Sequence, residues 1–574
     1  MTEPLQNKRG QRGSSNDLRG GDAPEIPGLI EILSAHAATN WAAPDTLAAT
    51  NFGVEEATIG DVHRAMREGR LTCRALALIY LQRIHAYSVH GPQLNAFVNV
   101  NLKILDEARA LDEEFQATGH LRPLHGIPVS LKDSIDTAGI PTTAGSALLA
   151  NSIPKRDAFI VSKLKAAGAL VLGKNTLGDL SGSSYSTVNG IPRNPYKLNR
   201  VPGGSSSGSG VAVAANLTMV AVGEDTLTSV RTPAALTSTV GLRPTTGLIS
   251  SSGIVPRKKN IDTAGPIARN VTDAAQLLTT LAGPDPADPL SQKTFASFAA
   301  NMKSGNGYVD FTSCLKNDAL RGVRIGIGRD FFGGDPEIDA LAEAAAAMIE
   351  RLGAKLIDVR FERDFFARYV RDGLKTVMPI LMYGFRDTFE TYLAGLDADV
   401  PKTVEEWAKA YSTELRNSQF PPEETRPSHA LLVLKEALNH SSADEDYRRM
   451  IEDTLPMLTR VKKELFENFS ISAMIMPYQP NFAEPIVTPR EVNTDPSFVP
   501  APPSIVAPNS IAGYGSEGFP MVIVPMGFGS AGLPMGLAIM GRPCSDGEIL
   551  GYAYAFEQAT KHRRPPHLLH EGLR

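Results

Sequence analysis

Cysteine is scarce in this 574-residue sequence, and its scarcity narrows the range of functions. The three cysteines, Cys73, Cys314 and Cys544, lie far apart, and an odd number leaves no complete set of disulfides. No Cys or His spacing is typical of a metal site, so we expect neither a disulfide framework nor a bound metal. Such usage fits a reducing compartment, and we expect a cytoplasmic protein that works without a cofactor.

Long apolar runs and a strong net charge are also missing. No stretch approaches about 18 uninterrupted apolar residues, so we expect no transmembrane segment. A net charge of −5 gives no reason to expect nucleic acid or an anionic membrane as a partner. Residues 1–27 lack the apolar core of a secretory signal. We therefore expect a disordered N-terminal extension over residues 1–50, with a short helix after Gly28, and a C-terminal tail over 567–574.

Strand-like and helix-like patterns alternate between these two ends. Helix starts are expected at Thr58 and Thr72. The predicted strands are at 127–131, 169–173, 219–222, 323–328, 355–359, 473–477, 521–525 and 536–540, and the predicted helices at 105–115, 160–167, 211–217 and 273–281. The alternation predicts one α/β domain over residues 51–566, built on a single large mixed, mostly parallel twisted β-sheet with helices on both faces.

Three segments depart from this alternation. Residues 365–470 are predicted to be a helix-rich insert, whose apolar cluster at 365–385 either packs helices together or forms a wall at a substrate entrance. Residues 284–307 contain several Pro, Asp and Ser residues and are predicted to be an irregular connection. The basic run at 561–564 is predicted to be a solvated helix end.

Serine and glycine are concentrated at residues 202–210, which read PGGSSSGSG and carry almost no side-chain volume. A flexible linker is disfavoured because a mostly apolar run at 211–222 follows directly. A nucleotide site is also disfavoured: Glu224 and Asp225 lie about 20 positions on, but no apolar strand precedes the glycines and GxxxxGK[ST] is absent. The third interpretation is hydrolysis, with a serine nucleophile and a backbone oxyanion hole.

A serine nucleophile needs a base. None of the eleven histidines is placed near these serines by a motif, and GxSxG is missing. Lys132 ends the strand-like run HGIPVSLKD, where a lysine is out of pattern. A desolvated lysine can be neutral near pH 7 and accept a proton, although a lone lysine in such a run more often extends its amine to the surface.

Four separated motifs resemble the amidase signature family. In order, they are GIPVSLKD at 126–133, PGGSSSGSG at 202–210, DTLTSVR at 225–231 and VGLRPT at 240–245. The resemblance extends from about Ile59 to Pro566, and DTAGP at 262–266 is most similar to the peptide-amidase and bacterial general-amidase branch. It implies the amidase signature fold and an enzyme that cleaves the C–N bond of a linear, small-molecule amide.

The resemblance also implies a Ser–cisSer–Lys triad. Ser229 would be the nucleophile that forms an acyl-enzyme, Ser205 in a cis-like turn would relay its proton, and neutral Lys132 would be the base. Backbone amides from Thr226 to Ser229 would bind the oxyanion.

One position departs from the family pattern. The family usually has glycine just before the nucleophile, whereas this chain has Leu227 and Thr228. Backbone donors do not require glycine unless φ is positive, so we expect an altered substrate shape and an intact oxyanion hole formed by Thr226, Leu227 and Thr228.

Other functions remain open on the same motifs. The alternatives are a carbamate (urethane) or ester hydrolase with the same triad, the glutaminase subunit of a transamidosome, and a non-catalytic binding homologue. The resemblance also implies that the chain can form a homodimer.

Overall fold

The structure is a computed structural model. It describes residues 25–37, 52–182, 184–256, 258, 261–301, 309–372, 379–417, 429–486, 500–501 and 518–567. The expectations for residues 1–24, 38–51 and 568–574 lie outside these ranges. A short helix does follow Gly28, and its Leu29 is buried in the main core.

One sheet organises the described chain. Its eleven strands lie in the order β1-β3-β2-β4-β6-β5-β10-β11-β9-β7-β8. The strands are β1 Phe97–Val100, β2 Pro128–Lys132, β3 Leu170–Asn175, β4 Val220–Asp225, β5 Val240–Arg243, β6 Thr263–Ala268, β7 Arg324–Gly328, β8 Lys355–Val359, β9 Ala473–Pro477, β10 Met521–Phe528 and β11 Pro534–Gly541.

The large mixed sheet confirms the predicted fold class, but the balance of strand directions differs from the prediction. Four neighbouring pairs of described strands are parallel, namely β2 with β3, β2 with β4, β7 with β8 and β7 with β9. The other six pairs are antiparallel. The parallel pairs thus form two blocks, and an antiparallel centre joins them. The prediction of a mostly parallel sheet overlooked this centre because two of its strands, β5 and β6, were not recognised.

Helices flank the sheet. They are α1 Leu29–Ala37, α2 Ile59–Arg67, α3 Cys73–Arg83, α4 Ile104–Thr118, α5 Phe159–Ala166, α6 Ser207–Ala214, α7 Arg231–Leu236, α8 Val271–Leu281, α9 Pro289–Asn301, α10 Pro336–Arg351, α11 Arg363–Phe365, α12 Phe385–Ala394, α13 Val404–Asn417, α14 His429–Asn439, α15 Glu445–Arg449, α16 Leu455–Asn468 and α17 Asp546–Thr560. Both predicted starts are confirmed, since the Thr58 and Thr72 side chains cap α2 and α3. No helix of the described ranges is long and apolar enough to cross a membrane.

The prediction of an irregular connection over residues 284–307 is wrong, because this segment contains α9. The Asp288 carboxylate accepts hydrogen bonds from the backbone N–H groups of Leu290 and Ser291, and Pro289 occupies the first helical position. Asp followed by Pro is a helix start as well as a loop signal. Buried Phe295 and Phe298 then attach the helix to the core.

The prediction that residues 561–564 are a solvated helix end is wrong for Arg563. Helix α17 ends at Thr560, and Lys561 adopts a left-handed conformation. The Arg563 guanidinium then turns inward and forms an ion pair with Glu56 at 2.7 Å. It also donates to the carbonyl oxygens of Ser238 and Ala214. This arginine therefore joins the C-terminal segment to the start of the folded chain.

The segment predicted as an insert is helical from α11 to α16 in its described parts. Its apolar residues form a second core, which includes Phe385, Phe389 and Trp407. Residues Ala144, Leu149 and Leu180 from the sheet-bearing part of the chain belong to the same cluster. This second core lies against loops that lead to the site described below.

Candidate active site

The sheet brings two of the predicted site residues together. Lys132 is the last residue of β2, and Ser229 follows the end of β4 by four residues. Because β2 and β4 are parallel neighbours, both strands end at the same edge of the sheet. The third predicted residue, Ser205, lies in the loop before α6, which packs against both strands.

The three side chains form a continuous hydrogen-bonded chain. Lys132 Nζ lies 2.9 Å from Ser205 Oγ, and Ser205 Oγ lies 3.1 Å from Ser229 Oγ. Lys132 is fully buried, while Ser205 is 2% exposed and Ser229 8% exposed. The residue with the greatest access to solvent is therefore the one predicted to attack the substrate.

The loop before α6 depends on its small residues. The Gly204–Ser205 peptide is cis, as the resemblance implied, and Gly203 has φ of +84°. A Cβ on Gly203 would lie 2.9 Å from Thr232 Cγ2. A Cβ on Gly208 would lie 2.3 Å from the carbonyl oxygen of Ala96. Glycine is therefore required at Gly203 in the loop and at Gly208 in the first turn of α6 for the backbone to pack closely against its neighbours.

Sequence reasoning missed Glu224 as a partner of the lysine. Its Oε2 lies 2.6 Å from Lys132 Nζ, and its carbonyl oxygen accepts from the same amine at 3.0 Å. Glu224 is almost completely buried. The signal in the sequence is an acidic residue at the end of an apolar run, a feature that supports only the nucleotide-site interpretation when the sequence is taken alone.

A buried charge network supports the turn that carries Ser229. The Asp225 carboxylate pairs with Arg231 at 3.1 Å and with Arg243 at 3.0 Å, and it accepts from the Val230 N–H at 3.0 Å. Burial raises the pKa of Asp225, but the two guanidinium groups outweigh burial and hold that pKa well below its usual range. The carboxylate thereby fixes Val230 and Arg231, the two residues that follow Ser229.

The two residues that replace the family's glycines point to different partners. Leu227 packs against the second core, so it lies at the junction with the helical segment. The Thr228 hydroxyl contacts the Tyr478 hydroxyl at 2.6 Å and also the Thr232 hydroxyl. Hydrogen bonds therefore join the side chain of Thr228 to α7 and to Tyr478, the residue that follows β9.

The turn at residues 226–229 has backbone N–H groups that are free to donate hydrogen bonds. Within the described chain, the hydrogen bonds leave the N–H groups of Leu227, Thr228 and Ser229 without an acceptor. Unpaired N–H groups beside a partly accessible serine hydroxyl are the arrangement that binds a developing oxyanion. The Thr226 N–H likewise has no acceptor within the described chain, and the Thr226 hydroxyl contacts Glu224 Oε1 and Asp262 Oδ1.

Comparison with known proteins gives consistent results. The family model described as Amidase matches residues 75–550. A glutamyl-tRNA(Gln) amidotransferase subunit from Caldanaerobacter subterraneus subsp. tengcongensis is 32% identical over 89% of this chain and 97% of its own length.

Solved structures resemble the fold as well. The native peptide amidase from Stenotrophomonas maltophilia has a TM-score of 0.77 at 34% identity, covering 89% of this chain and 99% of the other. The glutamyl-tRNA(Gln) amidotransferase subunit from Thermotoga maritima has a TM-score of 0.64 at 25% identity, covering 90% of this chain and 99% of the other. With most of the chain matched in sequence and in fold, this protein belongs to the amidase signature family.

Proposed function

We propose that this protein hydrolyses a carboxamide through an acyl-enzyme on Ser229. The observation that supports the proposal is the buried chain of hydrogen bonds from Lys132 through Ser205 to Ser229. A serine hydroxyl is a weak nucleophile until a base removes its proton, and this chain supplies a route for that proton. Either hydroxyl donates to the other after rotation about its Cβ–Oγ bond.

The proton and the bonds balance in each step. Ser229 Oγ attacks the amide carbon while its proton passes to Ser205 and the proton of Ser205 passes to neutral Lys132. The carbonyl oxygen becomes an oxyanion, which the N–H groups of Leu227, Thr228 and Ser229 stabilise by about 3 kcal/mol per donor. Collapse breaks the C–N bond, and the proton returns along the same route to the leaving nitrogen. Water then cleaves the acyl ester with the same base and releases the acid.

The position of Leu227 favours a substrate with an apolar group near the scissile bond. Leu227 contacts the second core, to which Phe365, Tyr369 and Tyr383 also pack. An apolar wall stabilises an apolar group through the area it removes from water, about 25 cal/mol per Å². We propose that this part of the helical segment forms the wall of the substrate pocket.

The main alternative is the glutaminase subunit of a larger complex. The curated relatives favour it, since proteins named as amidotransferase subunits match most of this chain. The solved structures favour a stand-alone amidase, because the peptide amidase has both the higher TM-score and the higher identity. A glutaminase subunit would release ammonia from L-glutamine, and the stand-alone enzyme would act on other amides without a partner.

Of two further alternatives, one uses the same catalytic triad and the other has no catalytic activity. A carbamate or ester hydrolase would turn over urethanes or nitrophenyl esters faster than amides. A binding homologue would release no product from any of them.

A panel of amides tests the proposal. The purified chain is incubated with benzamide, hexanamide, a peptide with a C-terminal amide, L-glutamine, a urethane and a nitrophenyl ester, and the products are read by mass spectrometry. We expect acid and ammonia from at least one amide, and we expect Ser229→Ala and Lys132→Ala to lose that activity. Ser207→Ala is the matched control, since Ser207 begins α6 two residues after Ser205 and its buried hydroxyl has no hydrogen-bond partner in the described chain. Amide hydrolysis at the wild-type rate by Ser229→Ala would remove that residue from the role of nucleophile.

A further inference from the structure

The proposed relay does not use one buried carboxylate of the site, that of Glu224. Glu224 Oε2 lies 2.6 Å from Lys132 Nζ, and the two side chains are 2% and 0% exposed. The Ser181 hydroxyl also approaches Oε2, at 3.4 Å. A carboxylate this close to the amine that serves as the base affects where the protons of the site reside.

The relay imposes a condition on Lys132. Its amine must hold a lone pair in order to accept a proton from Ser205, and an ammonium group has none. An ammonium group beside a carboxylate in a buried site is a stable pair but an inactive base. If the same proton lies on the carboxyl group, the amine is free to act and the pair still has no net charge.

On the side of Glu224 that faces away from Lys132, the hydrogen bonds can accommodate such a proton. The Thr226 hydroxyl lies 3.0 Å from Glu224 Oε1 and 2.7 Å from Asp262 Oδ1. A hydroxyl group has one hydrogen, so it donates to only one of these oxygens. The other contact becomes a hydrogen bond only when a carboxyl group is protonated and donates to the threonine oxygen. The other oxygen of Asp262 accepts from the backbone N–H of Lys258, so the geometry accommodates one extra proton within the Glu224–Thr226–Asp262 group.

We infer that Glu224 holds the proton that Lys132 must give up before it can act as the base. This inference rests on the proposed function and makes Glu224 a positioning residue that acts through Lys132. Before attack, one proton moves from Lys132 Nζ to the Glu224 carboxylate, leaving an amine and a carboxylic acid. During acylation Lys132 gains the proton from Ser205, and on collapse it returns that proton to the leaving nitrogen. Glu224 keeps its own proton throughout, so the site neither gains nor loses protons over acylation.

Other ionisable groups lie around the pair and are common to every variant below. Burial lowers the pKa of Lys258 to about 8, and its amine contacts the Tyr447 hydroxyl. Other groups on the neighbouring elements have their own partners: Asp133 pairs with Lys174, Asp225 pairs with Arg231 and Arg243, and Asp179 accepts from the Tyr411 hydroxyl. Their effects on a pH profile therefore cancel when variants at position 224 are compared.

The test is the rate of labelling of Ser229 by a fluorophosphonate probe as a function of pH, for wild type, Glu224→Gln and Glu224→Asp. Fluoride needs no proton to leave, so this rate reports activation of the serine alone. In Glu224→Gln the amide cannot take the proton, and Lys132 must lose it to solvent. We expect the acid limb of the profile to move to higher pH by roughly one unit or more, with the rate approaching that of wild type at alkaline pH. Glu224→Asp keeps a carboxylate and should keep the wild-type limb.

The outcomes separate this inference from the proposed function. A Glu224→Gln rate that falls by the same factor at every pH, or that does not change, would assign Glu224 a purely structural role and overturn the inference. Labelling that persists in Ser229→Ala would instead overturn the proposed function. Thermal unfolding is recorded for each variant, and Glu224→Thr replaces Glu224→Gln in the same test if the glutamine variant does not fold.

Discussion

At the scale of single residues, the buried carboxylates of Glu224 and Asp225 pair with the lysine and the arginines around the site. Lys132 was recognisable because a lysine at the end of an apolar strand breaks the pattern, and Ser205 and Ser229 lie in motifs. Glu224 was not recognised as the partner of Lys132, because contacts across neighbouring strands depend on register. The carboxylate of Asp225 likewise meets Arg243 only after β5 and β4 have both joined the sheet through β6.

The Asp225 network predicts a large change in stability. Asp225→Asn keeps the shape of the side chain but deprives the buried guanidinium groups of Arg231 and Arg243 of the carboxylate that they share. Breaking a buried pair in this way lowers the free energy of unfolding by about 3–5 kcal/mol. Because the folded pKa of Asp225 is below its usual value, this stabilisation is present above a pH of about 3.9 and is lost as pH falls through the folded pKa.

Urea denaturation at pH 7 measures the effect of Asp225→Asn. The matched control is Asp397→Asn, which removes an exposed carboxylate from its pair with Lys155 and should leave the midpoint almost unchanged. Equal midpoints for the two variants would show that the Asp225 network does not stabilise the fold.

At the scale of elements, the predicted strands overlap most of those observed, but β1, β5 and β6 were missed. The predicted strands at 355–359 and 473–477 match β8 and β9. Strand β6 was missed because it contains Gly265 and Pro266, which are normally unfavourable in the interior of a sheet. Here Pro266 lies opposite Val222 of β4, between two partner strands, so tertiary packing outweighs the local preference.

Helix α17 predicts a pH dependence of stability. Glu557 is partly buried on this helix and accepts a hydrogen bond from the N–H of Val271 at the start of α8. Burial raises the pKa of Glu557 to about 7. The folded state therefore binds this proton more tightly than the unfolded state, and stability falls as pH rises from about 4.3 through 7.

Glu557→Gln should reduce the loss of stability with rising pH, because glutamine keeps an acceptor for the Val271 N–H and has no charge to bury. Thermal unfolding at pH 5 and pH 8 gives the comparison, and the difference in Tm should be smaller in the variant than in wild type. Buried Asp273 and Asp546, whose pKa values burial raises to about 6, retain part of the dependence. Glu548→Gln on the exposed face of the same helix should leave the wild-type difference unchanged, and an identical result for both variants would contradict the assignment.

At the scale of the whole molecule, the sheet and the helical segment contribute different parts of the proposed site. The sheet positions Lys132, Ser205 and Ser229, and the family motifs made this part predictable. The helical segment forms its own core and meets the site through Leu227, a contact that depends on tertiary packing. The homodimer implied by the resemblance stays a prediction.

The central claim is that the isolated chain carries an acyl group on Ser229 during turnover. The most direct measurement is acid quenching of the purified protein during reaction with 4-nitrophenyl benzoate, which delivers the same acyl group as benzamide, followed by mass spectrometry of its peptides. The account predicts a benzoyl group on Ser229 in wild type and none in Ser229→Ala. A benzoyl group on another residue, or ammonia released from benzamide by Ser229→Ala at the wild-type rate, would contradict it.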